Sequence, residues 1–340
     1  MNDGKRMGRV LRTASLVAAG GMAVAMLGAC GSNGSTGADG SSSDGKYNIA
    51  YIGSKGTSFQ TAIYSGIKSV DGVTASFIEV GFDVTKEVQA IQNAVASGRY
   101  QGLVIFPNSA TGLVAAVNQA IKAGIQVFNV DSPIGSDPYS TKPQIKGQAG
   151  AVVADDAAVG KKAGELAVEA CKAKNISPCN VARVGGLPQF AVETEFENGS
   201  KDALAAAGTD NHLLKTVYAG GYDSNSGYKA AQDVMAANPD VNVILSADPL
   251  MKGIQQAVKG KGIQLVSYAG TKYAYEQVAN GTYYGEIAFF PVYEGEVAAK
   301  SIIAHIKDPK LPANNPPAAA PGLPFFSTKA TLGDFRGQYE

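Results

Sequence analysis

Tryptophan is missing from this 340-residue sequence, and histidine is nearly so, with only His212 and His305. Serine and cysteine nucleophiles need a neighbouring base, and neither histidine stands in such a pairing, so nucleophilic catalysis has no visible base. His212 precedes an expected strand and His305 falls on an expected helix surface, so both are read as solvated. No Gly-x-x-x-x-Gly-Lys-Ser/Thr loop occurs, and no Gly-x-Gly-x-x-Gly follows the first strand, which leaves a phosphate cradle unsupported. Glu193, Glu195 and Glu197 could imitate an acid–base pair, but a spacing of two on a helix splays them apart and suits a solvated face. An excess of one charge is lacking too. Lysine plus arginine equals aspartate plus glutamate at 29 each, which argues against nucleic-acid binding. Enzyme, cofactor and metal are all unexpected.

Cysteine is scarce, with three residues. The first, Cys30, ends a segment with a basic start at Lys5, Arg6, Arg9 and Arg12 and an apolar run from Ala14 to Met26. That run is short for a bilayer span, and Leu27-Gly28-Ala29 places small residues before the cysteine. The arrangement resembles the bacterial lipoprotein box, which implies a signal peptide over 1–30 and lipidation at Cys30. Residues 31–45, GSNGSTGADGSSSDG, read as a flexible tether. Export to an oxidising compartment then makes Cys171 and Cys179 a disulfide in default, closing a small loop.

What the sequence has in abundance is alternation of strand and helix. Leu103 to Pro133 carries it most clearly. Leu103-Val104-Ile105-Phe106 is a short apolar run stopped by Pro107-Asn108, and Leu113, Val114, Val117, Ala120 and Ile121 recur at helical intervals. Gly124 ends that helix, and Ile125 to Val130 makes a second strand, completing a right-handed βαβ unit. Before it lie strands at 46–52 and 74–80 and helices at 59–70 and 84–97. Residues 144–153 read as an extended connection leading away from this series. A second series follows: a helix from Asp155, then strands near 180–184, 213–218, 241–245, 263–268 and 284–290 with helices between them. Pro291 opens a helix running to Ile306, and Pro324 to Thr328 reads as a last strand. The expected fold class is therefore α/β, with two doubly wound parallel-sheet lobes. In such sheets ligands sit beyond the carboxyl ends of the strands.

Lipobox, tether and two α/β lobes together resemble a substrate-binding lipoprotein of an ABC importer, and within that group the type I periplasmic binding proteins of the ribose- and galactose-binding kind. The resemblance covers about residues 46–335. Its carriers are Phe106-Pro107-Asn108, Phe128-Asn129-Val130-Asp131, Ala154-Asp155-Asp156 with Gly160-Lys161, and Pro239-Asp240-Val241 with Ser246-Ala247-Asp248. It implies a three-segment hinge, with crossings near 154, 290 and 323. The lobes would then be 46–154 plus 290–322 and 155–289 plus 323–340. It also implies a monomer that captures a small-molecule ligand and hands it to an ABC permease, held on the outer face of the cell membrane by its lipid. The alternative is a sensor for a non-sugar or signalling molecule.

Carried over residue by residue, Phe59 resembles an aromatic that stacks on a sugar ring, Tyr222 another across the cleft, and Asp131 the aspartate that accepts from sugar hydroxyls. Thr57, Gln60, Asn108 and Phe190 are further candidate contacts, with Gln189 opening the same helix. Departures are several. Ser132 stands where an arginine usually follows the aspartate, and a second ligand-binding arginine aligns near Thr194. An Asn-Asp pair is here Ala247-Asp248, with Asp248 either a contact or a helix cap. The aspartate after strand 263–268 is Ala269, and a glutamine is replaced by Phe289, one of the Phe289-Phe290 pair being core and the other cleft. Each lost charged hydrogen bond is worth roughly 1.5–3 kcal/mol. The expected pocket is thus more aromatic, and its ligand is a polyol, pentose or deoxy-sugar rather than a typical hexose.

Overall fold

The computed structural model describes residues 47–340. The proposed signal peptide, lipobox and tether lie outside the described residues. The first series comprises β1 (Tyr47–Gly53), α1 (Ser58–Lys68), β2 (Val73–Glu79), α2 (Val84–Ser97), β3 (Gly102–Ile105), α3 (Val114–Lys122), β4 (Gln126–Asp131) and β5 (Gly150–Val153). Its five strands are all parallel, in the order β2-β1-β3-β4-β5. The period of two decides which side chain meets which helix. Ile49 and Tyr51 of β1 pack on one face with Ile63 and Ile67 of α1, while Ala50 and Ile52 pack on the other with Ile91 of α2 and Val117 of α3.

The second series comprises α4 (Asp156–Ala173), β6 (Cys179–Gly185), α5 (Ala191–Ala206), β7 (Asn211–Leu213), β8 (Val217–Tyr218), α6 (Ser224–Ala237), β9 (Val243–Ala247), α7 (Asp248–Ala257), β10 (Gln264–Tyr268), α8 (Lys272–Asn280) and β11 (Gly285–Ile287). Next come α9 (Pro291–Lys307) and β12 (Phe326–Thr328). The second sheet runs β12-β11-β10-β9-β6-β7, with β8 also paired to β6 and only β12 antiparallel to its neighbour. Val243 and Leu245 of β9 face Leu166 of α4 and Phe196 of α5, whereas Ile244 faces Val234 of α6 and Ile254 of α7.

The chain passes between the sheets three times. It leaves β5 for α4, returns from β11 to α9, and goes back from α9 to β12. Helix α9 packs on the first sheet, since Ala298, Ala299 and Ile302 share a core with Ile49 and Phe128. Gly295 makes that approach close, because a Cβ there would run into the carbonyl of Ile63 on α1. Cys171 and Cys179 form the expected disulfide, joining the end of α4 to the start of β6.

Several expectations are corrected. Residues 150–153 are not part of a bare connection: Gly150 to Val153 pair with Phe128 to Asp131 as a fifth strand, and all four are buried. The strand expected over 213–218 is broken. From Val181 to Val184 on β6, the partner chain advances from Leu213 to Val217, one residue more, which is a bulge. The strand expected over 284–290 stops at Ile287, because Phe290 already serves as the cap position of α9. His305 is 5 % exposed rather than solvated, and each ring nitrogen faces a carbonyl oxygen, of Ser301 at 2.8 Å and of Pro312 at 3.2 Å. The segment after α9 folds back over that helix face. His212 is exposed, as expected.

Candidate functional site

The carboxyl ends of the strands in both sheets open onto one cavity of about 350 Å³. Phe106, Pro107 and Asn108 follow β3, Asp131 ends β4, Tyr268 ends β10, and Phe289 follows β11. Because parallel strands direct their ends the same way, the loops that carry polar and aromatic residues gather on one side of each sheet.

Phe59 sits at the centre of an aromatic cluster. Its ring meets those of Phe106, Phe289 and Tyr339 edge to face, with centroids 6.3, 6.0 and 5.8 Å away. Such arrangements suit the ring quadrupole. Near the mouth, Phe82 stands 5.9 Å from Phe190 and 6.3 Å from Tyr222, so rings carried by the two series meet there. Phe290 is buried, and Phe289 is the member of that pair on the wall.

The polar part of the wall is held by its own network. Thr57 caps α1 by accepting from the Gln60 backbone at 3.3 Å. Gln60 is 2 % exposed, and its Oε1 accepts from the Ser54 backbone at 2.6 Å and from the Tyr51 hydroxyl at 3.3 Å. Asn108 donates its backbone N–H to Glu87 at 3.0 Å and its side-chain amide to the Gly81 carbonyl at 3.2 Å. Burial holds Glu87 up at about 8. Asp131 has a left-handed backbone (φ 64°) and receives the Ser132 hydroxyl at 3.2 Å. Burial lifts its carboxyl to about 6.

Tyr222 is fixed from behind. Its hydroxyl donates to Glu193 at 2.6 Å, the same oxygen accepts the Gly186 N–H at 2.8 Å, and the other oxygen is paired with Arg183. Gly186 has to be a glycine here, because a Cβ would run into the Tyr222 ring. Glu193 is therefore no part of a solvated face: it is 1 % exposed, turned inward from the first turn of α5. Only Glu195 and Glu197 keep partial exposure, and Glu197 accepts the Thr216 hydroxyl at 2.7 Å.

Eight of the ten candidates read from the sequence thus line the cavity: Thr57, Phe59, Gln60, Asn108, Asp131, Phe190, Tyr222 and Phe289. Thr194 does not; it is exposed, because it follows the inward-facing Glu193 by one residue and a helix turns about 100° in that step. Asp248 also lies off the wall. Its neighbours Ala247 and Pro249 line the cavity, while its carboxylate accepts the Thr271 N–H at 2.8 Å and so secures the start of α8. Phe82, Tyr268, Tyr339 and Asp156 line the cavity without having been singled out as contacts. Tyr268 ends a strand and Asp156 belongs to the Ala154-Asp155-Asp156 crossing, so both carried a positional signal; Tyr339 carried none. Among the described residues, no three His, Cys, Asp or Glu side chains gather as a metal site.

Residues 51–310 match the periplasmic binding protein domain. The chain belongs to that family. Its fold is that of the type I periplasmic binding proteins. It is 25% identical over 234 residues to the D-allose-binding periplasmic protein of Escherichia coli, covering 67% of this chain and 73% of that one. Among solved structures it resembles a carbohydrate transporter solute binding protein from Agrobacterium radiobacter in complex with D-arabinose, with a TM-score of 0.73 at 19% identity over 86% of this chain and 97% of the other. An ABC transporter solute binding protein from Mycobacterium smegmatis with bound glycerol gives a TM-score of 0.72 at 19% identity, over 86% and 99%. Among the described residues of this periplasmic binding protein, no helix is long and apolar enough to cross a membrane.

Proposed function

We propose that this protein is the extracytoplasmic solute-binding lipoprotein of an ABC importer, which captures a small sugar-like ligand, a polyol, pentose or deoxy-sugar, and delivers it unchanged to a permease. The observation that carries this reading is the aromatic cavity at the strand ends, with Phe59 carried by α1 against the first sheet and Tyr222 by the loop after β8 against the second. A ring on each side can stack on the apolar faces of a sugar while Asn108 and Asp131 take its hydroxyls. The sugars and polyol named for the relatives support the same ligand class. In this reading the lobes 46–154 plus 290–322 and 155–289 plus 323–340 close about three crossings, and Cys30 carries the lipid that keeps the body near its permease. A ligand that touches both lobes favours the closed form by its differential affinity.

The test is a thermal-shift screen over pentoses, hexoses, polyols and non-sugar metabolites, followed by solution scattering on each hit. A sugar or polyol should raise the unfolding midpoint and reduce the radius of gyration. Stabilisation by non-sugar metabolites alone would overturn the ligand class. Replacement of Cys30 by serine should move the protein from the membrane fraction to the soluble one.

A further inference from the structure

We propose that the guest of this cavity carries a protonated amine: an amino-sugar or amino-polyol whose ammonium group lies against Asp131 and Asp156 inside the ring of aromatic side chains. This rests on the capture of a sugar-like ligand and narrows it.

The charge inventory of the wall is one-sided. Asp131 and Asp156 line the cavity, and among the described residues that line it there is no lysine, arginine or histidine. Behind Phe289 a second cavity of about 540 Å³ is lined by Glu294, which is 2 % exposed and has one oxygen without a hydrogen-bond partner. Asp131, Asp156 and Glu294 stand close enough that Asp131 disfavours the charge of the other two, adding to the burial that already does so. The buried guanidinium of Arg183 in the second sheet is matched by Glu193. Asp156 and Glu294 each lie in the first turn of a helix, whose dipole favours a carboxylate without cancelling its charge. Asp131 has no helix to lean on. A guest with a positive charge would offset the burial and mutual repulsion that disfavour the ionised form of these carboxyls.

Three of the wall's amide and hydroxyl donors are already committed. The Asn108 amide donates to Gly81, the Tyr222 hydroxyl to Glu193 and the Ser132 hydroxyl to Asp131. Oδ1 of Asn108, on a residue 8 % exposed, accepts from no described residue. An ammonium group brings three donors and no acceptor, which suits the carboxyl oxygens of Asp131 and Asp156. Phe59, Tyr268 and Phe289 line the same cavity, and the attraction of aromatic rings for a cation grows as water is excluded.

The experiment pairs each amine with its neutral parent in titration calorimetry at pH 7.5: D-glucosamine with D-glucose, D-galactosamine with D-galactose, and 2-amino-1,3-propanediol with glycerol. The amine of at least one pair should bind tenfold or more tightly than its parent, and N-acetylation should abolish that advantage in the unmodified protein. Asp131→Asn and Asp156→Asn should each shrink the amine-to-parent ratio to threefold or less. Parents that bind as tightly as their amines overturn this proposal and leave the sugar reading standing, as does an amine preference that survives both substitutions. Absence of binding by every member of every pair, acetylated forms included, overturns this proposal, while the sugar-like reading falls only if the wider screen of pentoses, polyols and deoxy-sugars is also silent.

Discussion

Tyr222 on the cavity wall donates to Glu193 at 2.6 Å, and the same carboxylate neutralises Arg183 in the interior of the second sheet. Position of the ring and stability of the core are therefore joined through one side chain. Arg183 also lies over the Phe196 ring, 4.9 Å from its centroid, so its charge is held on two sides. Taking away one member of a buried pair leaves the other uncompensated and costs about 3–5 kcal/mol. Glu193→Gln should accordingly lower stability in urea by about that amount, while Arg183→Met combined with Glu193→Leu should recover much of the loss. Losses that simply add in the double variant would mean that the pair is not coupled.

Glu87 makes a pH prediction whose sign is fixed by its burial. Its carboxyl is raised from 4.5 to about 8, so between those values the folded protein holds a proton that the unfolded chain has released. The stability this contributes is fully present below pH 4.5 and is lost as pH rises through 8. Glu87→Gln keeps an oxygen for the Asn108 backbone but cannot ionise. Its unfolding midpoint should fall less than that of the parent between pH 6 and 9, with a differential on the order of 1–3 kcal/mol. Parallel pH profiles for the two proteins would show Glu87 charged in the fold.

The alternating order of strands and helices was legible because it rests on local periodicity, and so were the loop residues at the strand ends, since a parallel sheet puts all of those ends together. What stayed hidden depends on contacts between distant segments. His305 looked solvated until 308–314 folded over it, and Glu193 shared a polar pattern with Glu195 and Glu197 although only Glu193 meets Arg183. Thr194 and Asp248 were placed by alignment, which gives a position along the chain but not the direction of a side chain. Tyr339 comes from the far end of the sequence, and only the fold brings it to Phe59.

The Cys171–Cys179 bridge closes a loop with a sequence separation of 8. Constraint of the unfolded chain by a loop of this size is worth about 2.5 kcal/mol. Replacing both cysteines with alanine should lower stability by roughly that amount in denaturant titration and leave the amplitude of the transition unchanged. No loss would mean that the native structure gives back what the cross-link takes from the unfolded chain.

Gln338 and Tyr339 connect parts of the molecule that the sheets keep apart. Gln338 accepts the Val292 N–H at 3.1 Å at the start of α9, which packs on the first sheet. Tyr339 accepts from the Lys272 backbone at 2.8 Å, donates its hydroxyl to the Ala269 carbonyl at 2.9 Å, and sets its ring against Phe59. The hydroxyl and the ring contribute separately. Tyr339→Phe removes one hydrogen bond, for a loss of about 1 kcal/mol. Tyr339→Ala also removes a buried ring, which raises the loss to about 3–5 kcal/mol and frees Phe59 on one side. Denaturant titration of the two variants should separate these values, and the alanine variant should show a larger radius of gyration in solution scattering. Equal and small losses in both would mean that this segment rests on the surface of the fold without holding its two sheets together.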